Sequence, residues 1–455
     1  MIKVKNSLLA LAFTFFTLVS CSDKETDPTP GTTTDTDSDT ELTAQTNTEE
    51  ADDYIFDTDI TYITLNSTSV AVTGEGVTVE NTTATITAAG TYSVSGTLTD
   101  GQVVVNTDTS SKVKIILNGA YITSTSTAPL YVKNAAKTII YLTPSTQNTL
   151  TDGSASKLDG TLYSAARLSI FGTGSLTVTG NADGGIVSEG GMIIKDGTYA
   201  VTAAESTLKS DKNLIIDGGT FTLTAGNDGI HGEESLIFNG GNIVITQSEE
   251  GIESAEITIN EGTSIQLTST DDGVNASSGD DTSENHFYMH GGYLYVNASG
   301  DGIDSNGYIE ITGGVIVVNG PTQNSNGAID YDRTFTISGG LLVAAGSTGM
   351  AQAPSQSSTQ NSVKINFSSS KQANQLIHIQ DATGNEIITF SPAKTFQSVV
   401  VSSPSLIQGT TYSVYLGGSS TGTATNGLYE GGDYTAGTLS TSFTVSSNAT
   451  TATGS

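Results

Sequence analysis

The chain has 455 residues, 47 acidic against 16 basic, for a formal net charge of −31. That balance argues against nucleic acid and anionic lipid headgroups as partners, and makes cations the natural counter-ions. With 51 glycines and no tryptophan, and with serine and threonine abundant, the composition suits closely turning β-structure better than helix.

The chain begins with Lys3 and Lys5 ahead of an almost wholly apolar run from Leu8 to Val19. This reads as a secretion signal, residues 1–20, too short to be a confident membrane span. It ends in Leu18-Val19-Ser20-Cys21, which resembles the lipobox of bacterial lipoproteins, and Cys21 is the only cysteine. The resemblance implies that Cys21 is lipidated, with an ordinary signal peptide and a chance cysteine as the alternative. The protein would then be anchored at the bacterial outer membrane, at the cell surface or on the periplasmic face, touching membrane through the lipid alone. Residues 21–52 are rich in Asp, Thr, Glu and Ser, with Pro28 and Pro30, and read as a disordered acidic tether. Ser22-Asp23-Lys24-Glu25 weakly resembles acidic export signals of surface lipoproteins. The rest is long enough for one large elongated domain or two ordinary ones.

An internal repeat decides the fold class. Ile186, Leu208, Ile230, Ile252 and Val274 follow at intervals of 22 residues, and longer steps lead to Ile303 and Ile329. Glycine pairs keep time with them, among them Gly218-Gly219, Gly240-Gly241, Gly291-Gly292, Gly313-Gly314 and Gly339-Gly340. Short apolar strands precede these pairs and alternating strands follow, so one unit is strand, glycine turn, strand, Asp-Gly turn and anchor. Strands this short are stable only when each pairs with its equivalent on the next coil, about 4.8 Å away. The pattern predicts an all-β chain, a right-handed parallel β-helix over residues 53–345. Thr91 to Gly96, Val113 to Gly119, Pro129 to Val132 and Thr138 to Leu142 read as its early coils. Longer strands at Val363 to Phe367, Leu376 to Ile379 and Thr411 to Leu416 predict a C-terminal β cap or small domain in residues 346–455, covering an otherwise exposed edge.

A β-helix turns sequence spacing into a line in space. Two residues before successive anchors stand Asp228, Glu250, Asp272 and Asp301, and one residue after stand His231, Glu253, Asn275, Asp304 and Asp330. Carboxylates about 5 Å apart on adjacent coils would raise one another's pKa and strain the fold. Calcium, which takes oxygen ligands in loose geometry, would relieve that conflict. The scarcity of histidine and the lone cysteine argue against zinc. The bland alternative is a solvated row of ordinary turn residues. The 29-residue step from Val274 to Ile303 inserts an acidic loop with Asp280, Asp281 and Glu284 beside the column, a natural place for function.

These residues carry a family resemblance. Thr91-Tyr92-Ser93-Val94-Ser95-Gly96, Leu117-Asn118-Gly119, Asn148-Thr149-Leu150-Thr151-Asp152-Gly153 and the Asp-Gly-Ile coils at Asp228 and Asp301 are similar to bacterial carbohydrate-binding-domain-containing proteins of pectate-lyase-like β-helix fold. The resemblance spans most of residues 60–420. It implies binding of acidic plant polysaccharide and of calcium, with the coil acids as ligands. Glu250-Gly251-Ile252 departs from the pattern conservatively and Ser206-Thr207-Leu208 more sharply.

The fold also houses lyases, which abstract a proton with arginine or lysine near calcium. The candidates are Lys209, two coils below the densest acids, with Lys212 and Arg333; pairing with Asp330 and Asp332 is the simpler role for Arg333. No pair of isolated acids framed by aromatics suggests a glycoside hydrolase. Bases are scarce beside acids, which favours binding over catalysis. For sugar contact the candidates are Asp280, Asp281, Glu284, Tyr293, Tyr308 and Tyr331. The expected function is non-catalytic, calcium-dependent binding of a pectin-like acidic polysaccharide at the cell envelope. A pectate-lyase-like enzyme and a structural or adhesive rod are the alternatives.

Overall fold

A computed structural model describes residues 47–278 and 284–455. Cys21 with its flanking signal and most of the tether, and Asp280 and Asp281 of the inserted loop, lie outside the described residues. Among the described residues every regular element is a strand.

One coil consists of the strands Ile230–Gly232, Ser235–Phe238 and Gly241–Gln247. Each pairs in parallel with its counterpart on the next coil, through Ile230↔Ile252, Leu236↔Ile257 and Ile243↔Ile265. The chain is therefore a parallel β-helix. Its anchors form one inward stack: Ile186, Leu208, Ile230, Ile252, Val274 and Ile303 are successive partners, and Ile329 joins by a single bridge. None is more than 1% exposed. Each such side chain contributes roughly 1.5–3 kcal/mol by burial, which is how strands of three residues persist.

Two kinds of glycine make the coil possible. Gly219, Gly241, Gly262, Gly292, Gly314 and Gly340 turn the corner with φ between 78° and 106°, a region that penalises other residues. The glycine before each anchor is needed for space instead. A Cβ on Gly251 would stand 2.2 Å from the Gly273 carbonyl oxygen, and one on Gly273 equally close to Val296 Cγ1. The Asp-Gly and Glu-Gly pairs thus reflect the tightness of the stack more than turn chemistry.

The early coils are less regular but continuous. Lys112–Ser124 is one long strand whose first half pairs with Lys137–Leu142 and whose last residues pair with Gln147–Asp152. The acidic stretch read as tether up to Asp52 is packed against these coils from Asn47 onward. Asn47, 1% exposed, donates from Nδ2 to the Leu168 carbonyl at 2.6 Å and from its backbone N–H to Asn213 Oδ1 at 2.7 Å. Glu50 pairs with Lys112 at 3.2 Å and Arg167 at 3.3 Å, and Asp53 with Lys112 at 2.9 Å and with Lys137. Tyr54 sets its edge against Phe171, ring centroids 4.8 Å apart.

The C-terminal region closes the stack and folds back along its flank. Leu341–Gly346, the last strand of the coils, is capped on its free edge by Phe396–Ser402 running antiparallel. A separate six-stranded antiparallel sheet follows. Its core, with Phe390, Tyr412 and Phe443, is continuous with the outward-facing Val317 and Val343 of the coils, and Tyr293 and Tyr295 pack against it.

Candidate functional site

The acids gather on the sheet of short anchor strands. Their register follows from the backbone: Gly229 N–H donates to Glu250 O, Gly251 N–H to Asp272 O, and Gly273 N–H to Asp301 O, each at 2.9 Å. One row is therefore Asp228, Glu250, Asp272 and Asp301. The other is the outward face of the anchor strands, where Lys209, His231, Glu253, Asn275 and Asp304 are successive partners. Asp330 follows, beside the Ile303–Ile329 bridge. Both rows are filled from Glu250 to Asp304, as the spacing predicts.

The densest part is starved of positive charge. Asn275 Nδ2 donates to Glu250 Oε2 at 2.9 Å, Asp301 N–H to Asp272 Oδ1 at 2.5 Å, and Gly327 N–H to Asp301 Oδ1. Among the described residues no cation pairs with any of these carboxylates, and Asp304 has no hydrogen-bond partner. Burial, with Glu253, Asp228 and Asp271 adding repulsion, pushes Glu250 up to about 7 against the help of Asn275. Burial likewise takes Asp272 to about 7 despite the Asp301 amide, with Asp301, Asp271 and Glu250 adding repulsion. Asp301 rises to about 6 and Asp304 to about 7, again by burial first and neighbouring aspartates second. Asn275 Oδ1 is buried and has no hydrogen-bond partner among the described residues, an expensive state for an amide oxygen. An oxygen-only donor set with one orphaned carbonyl oxygen fits a hard cation.

The other predicted ligands, Asp228, Glu253 and Asp330, have side-chain partners within the chain. Asp228 and Glu253 flank His231, at 3.3 Å and 2.9 Å from its Nδ1. Burial works against the imidazolium, yet hydrogen bonds to Asp228 and Glu253 carry His231 up to about 10. Asp330 accepts from Gln352 Nε2 and from the Tyr331 amide.

Among the lyase candidates, Lys209 forms no ion pair among the described residues. It lines a shallow cleft of about 290 Å³ with Asp159, Asp183, Glu205, Ser206 and Asn227. Lys212 pairs with Glu234 at 2.5 Å. Arg333 is exposed and, contrary to the pairing expected with Asp330 and Asp332, makes no ion pair among the described residues.

The aromatic candidates scatter. Tyr293 lies under the C-terminal sheet, its hydroxyl accepting from Asn426 Nδ2 at 3.0 Å, so it is not a free platform beside the acids. Tyr308 is on a different face of the coil, stacked on the His286 imidazole at 4.9 Å, and Tyr288 stacks on the same imidazole at 5.1 Å. Tyr331 does adjoin the column, through Asp330, but its hydroxyl donates to the Ala353 carbonyl at 2.9 Å. Glu284 is exposed at the end of the inserted loop.

One feature of the edge escaped the sequence reading. Three residues before each anchor runs a third column, Asp159, Asp183, Glu205, Asn227, Glu249 and Asp271, joined by backbone hydrogen bonds such as Glu249 N–H to Asn227 O at 2.8 Å and Asp271 N–H to Glu249 O at 2.9 Å. It is visible in the same repeat, one residue upstream of the first row. Asp271 and Glu249 extend the negative field of the buried acids to the surface.

The model of the carbohydrate-binding domain-containing protein family matches residues 80–236 and again 226–383. The chain belongs to that family. A protein of Acetivibrio thermocellus named as a carbohydrate-binding domain-containing protein is 34% identical over 137 residues, which is 28% of this chain and 48% of the relative. The match thus spans about half of that relative's length. A solved structure described as a gadolinium derivative of the polysaccharide lyase-like protein from C. thermocellum is 24% identical, with a TM-score of 0.43 over 62% of this chain and 99% of that one. The second stretch matched by the family model, residues 226–383, covers the coils that carry the acid rows.

Proposed function

We propose that this protein binds an acidic polysaccharide of the polygalacturonate type through calcium, without cleaving it. The observation that carries the reading is the unneutralised oxygen column of Glu250, Asp272, Asn275, Asp301 and Asp304, with its orphaned Asn275 Oδ1. Family membership supports a carbohydrate as the ligand. An acidic polymer and an acidic edge repel each other directly, so a cation has to stand between them. Calcium accepts six to eight oxygens, so an ion held by four or five protein oxygens keeps positions for a uronate carboxylate. Neighbouring coils offer equivalent contacts about 4.8 Å apart, and weak contacts to one polymer add by avidity. A lipid on Cys21 would hold the array at the cell envelope.

The test uses chelator-treated full-length protein and immobilised polygalacturonate, with and without millimolar calcium, while absorbance follows unsaturated products. Retention that needs calcium, with no product, is the expected result. Product lost on changing Lys209 or Arg333 would place the chain among lyases. Neither retention nor product with any acidic glycan would leave the structural rod as the better reading.

A further inference from the structure

The lower end of the acid edge has a different chemistry from the rest. His231 Nδ1 lies 2.9 Å from Glu253 Oε2 on the next coil and 3.3 Å from Asp228 Oδ2 on its own, and ligand atoms of all three residues lie within 4.8 Å of one another. Bonds of about 2.0–2.2 Å to a first-row divalent ion place adjacent ligands about 3 Å apart. The imidazole nitrogen already stands at that spacing from both carboxylates, and the two carboxylates lie within 4.8 Å of each other.

Their surroundings are those of metal ligands. The far imidazole nitrogen, Nε2, faces Glu233 Oε2 at 3.3 Å, and such an outer carboxylate fixes the tautomer of a ligating histidine and strengthens it as a donor. Asp228, 4% exposed, is oriented by Ser206 Oγ at 3.0 Å and Asn227 Nδ2 at 3.3 Å, both donating to Oδ2. Charge points the same way. Three carboxylates, Asp228, Glu253 and Glu233, surround one imidazole, and Lys209, next along the row, pairs with none of them.

We propose that Asp228, His231 and Glu253 form a second metal site, separate from the oxygen-only column, that takes a first-row transition ion, with zinc as the probe. The imidazole makes the distinction, because nitrogen favours zinc and its neighbours over calcium. A single histidine suffices where two carboxylates complete the set. Histidine is scarce in the whole chain, at 4 residues, but the fold brings this one between two carboxylates. The site stands whether or not the polysaccharide reading holds.

Calorimetric titration of zinc into chelator-treated full-length protein, in saturating calcium, tests the proposal directly. One zinc site that survives calcium is expected. His231→Gln and Glu253→Gln should each weaken it at least tenfold, while Asp272→Asn should leave it unchanged. Cobalt in place of zinc should give visible absorption bands that His231→Gln abolishes, and thermal unfolding of each variant checks that it is folded. The proposal is overturned if zinc does not bind, if His231→Gln binds it as wild type does, or if calcium displaces it completely.

Discussion

Two stripes of charge run along this molecule with about one group per coil, and they are balanced in opposite ways. On one face Lys112, Lys137 and Arg167 are successive partners, and Lys195 lies further along. Glu49, Glu50, Asp52 and Asp53 of a single crossing segment answer them. On the anchor face Glu250, Asp272, Asp301 and Asp304 have no answering cation among the described residues. Where the chain supplies its own counter-ions the charges hold a segment in place. Where it supplies none, the cost stays in the folded state and an external cation can lower it. The contrast separates a structural use of charge from a binding use, which net charge alone cannot do.

The largest effect is expected from breaking the balanced stripe. Asp53 and Lys137 are both 0% exposed and pair with each other. Asp53→Ala leaves the Lys137 ammonium buried with only the Thr48 carbonyl, at 2.8 Å, as a hydrogen-bond partner. A loss of about 3–5 kcal/mol is expected for removing one partner of such a pair, measurable by urea unfolding. A loss below about 1 kcal/mol would mean that the segment is not a structural clasp.

The unbalanced stripe should respond with the opposite sign. Asp272→Asn with Asp301→Asn removes repulsion, so in chelator the variant should be more stable than wild type by roughly 1–2 kcal/mol, allowing for solvent screening. Calcium should raise the wild-type melting temperature and barely move that of the variant. Destabilisation in chelator would show that the two aspartates are already satisfied, and would remove the argument for a cation.

The contrast was only half legible in the sequence. The 22-residue spacing placed the anchors and both acid rows correctly, because the anchor strands keep one register from coil to coil where their inward residues repeat. The clasp was missed because residues 47–52 share the composition of the tether before them, and composition carries no sign of the lysines they meet across 60 or more residues. Tyr293 was misjudged for a related reason. Its alternation marks an outward position, but only the folded C-terminal sheet reveals that this outward face is covered.

A smaller effect should appear in the pH dependence of the chelated protein. Burial and mutual repulsion raise Glu250, Asp272 and Asp304 to about 7 and Asp301 to about 6, above their values in an unfolded chain, near 4. Between about pH 4 and pH 7 the folded state therefore binds more protons than the unfolded one, and stability falls as pH rises. The melting temperature in chelator should be higher at pH 5 than at pH 8 by a few degrees. Calcium should flatten or reverse that slope, because it stabilises the ionised carboxylates. A chelated protein that gains stability from pH 5 to pH 8 would contradict the repulsion on which the calcium reading rests.

The smallest effects belong to two bases, Lys209 and Arg333, that form no ion pair among the described residues. Arg333 is exposed, and Lys209 lines an open cleft; among the described residues neither reaches a carboxylate. Arg333→Ala and Lys209→Ala should each change stability by no more than about 0.5 kcal/mol, as surface substitutions without a partner do. If the edge only binds, calcium-dependent retention on polygalacturonate should survive both changes, since the cation and not a side-chain base meets the uronate. Lys209 is the sharper of the two. It shares its row with His231, Glu253 and Asn275, so a polymer lying along the coils would pass it at close range. A large drop in retention for Lys209→Ala, with calcium binding intact, would show that the chain supplies one counter-ion of its own for the ligand. The anchor face would then be partly balanced after all, and the comparison between the two stripes would become one of degree.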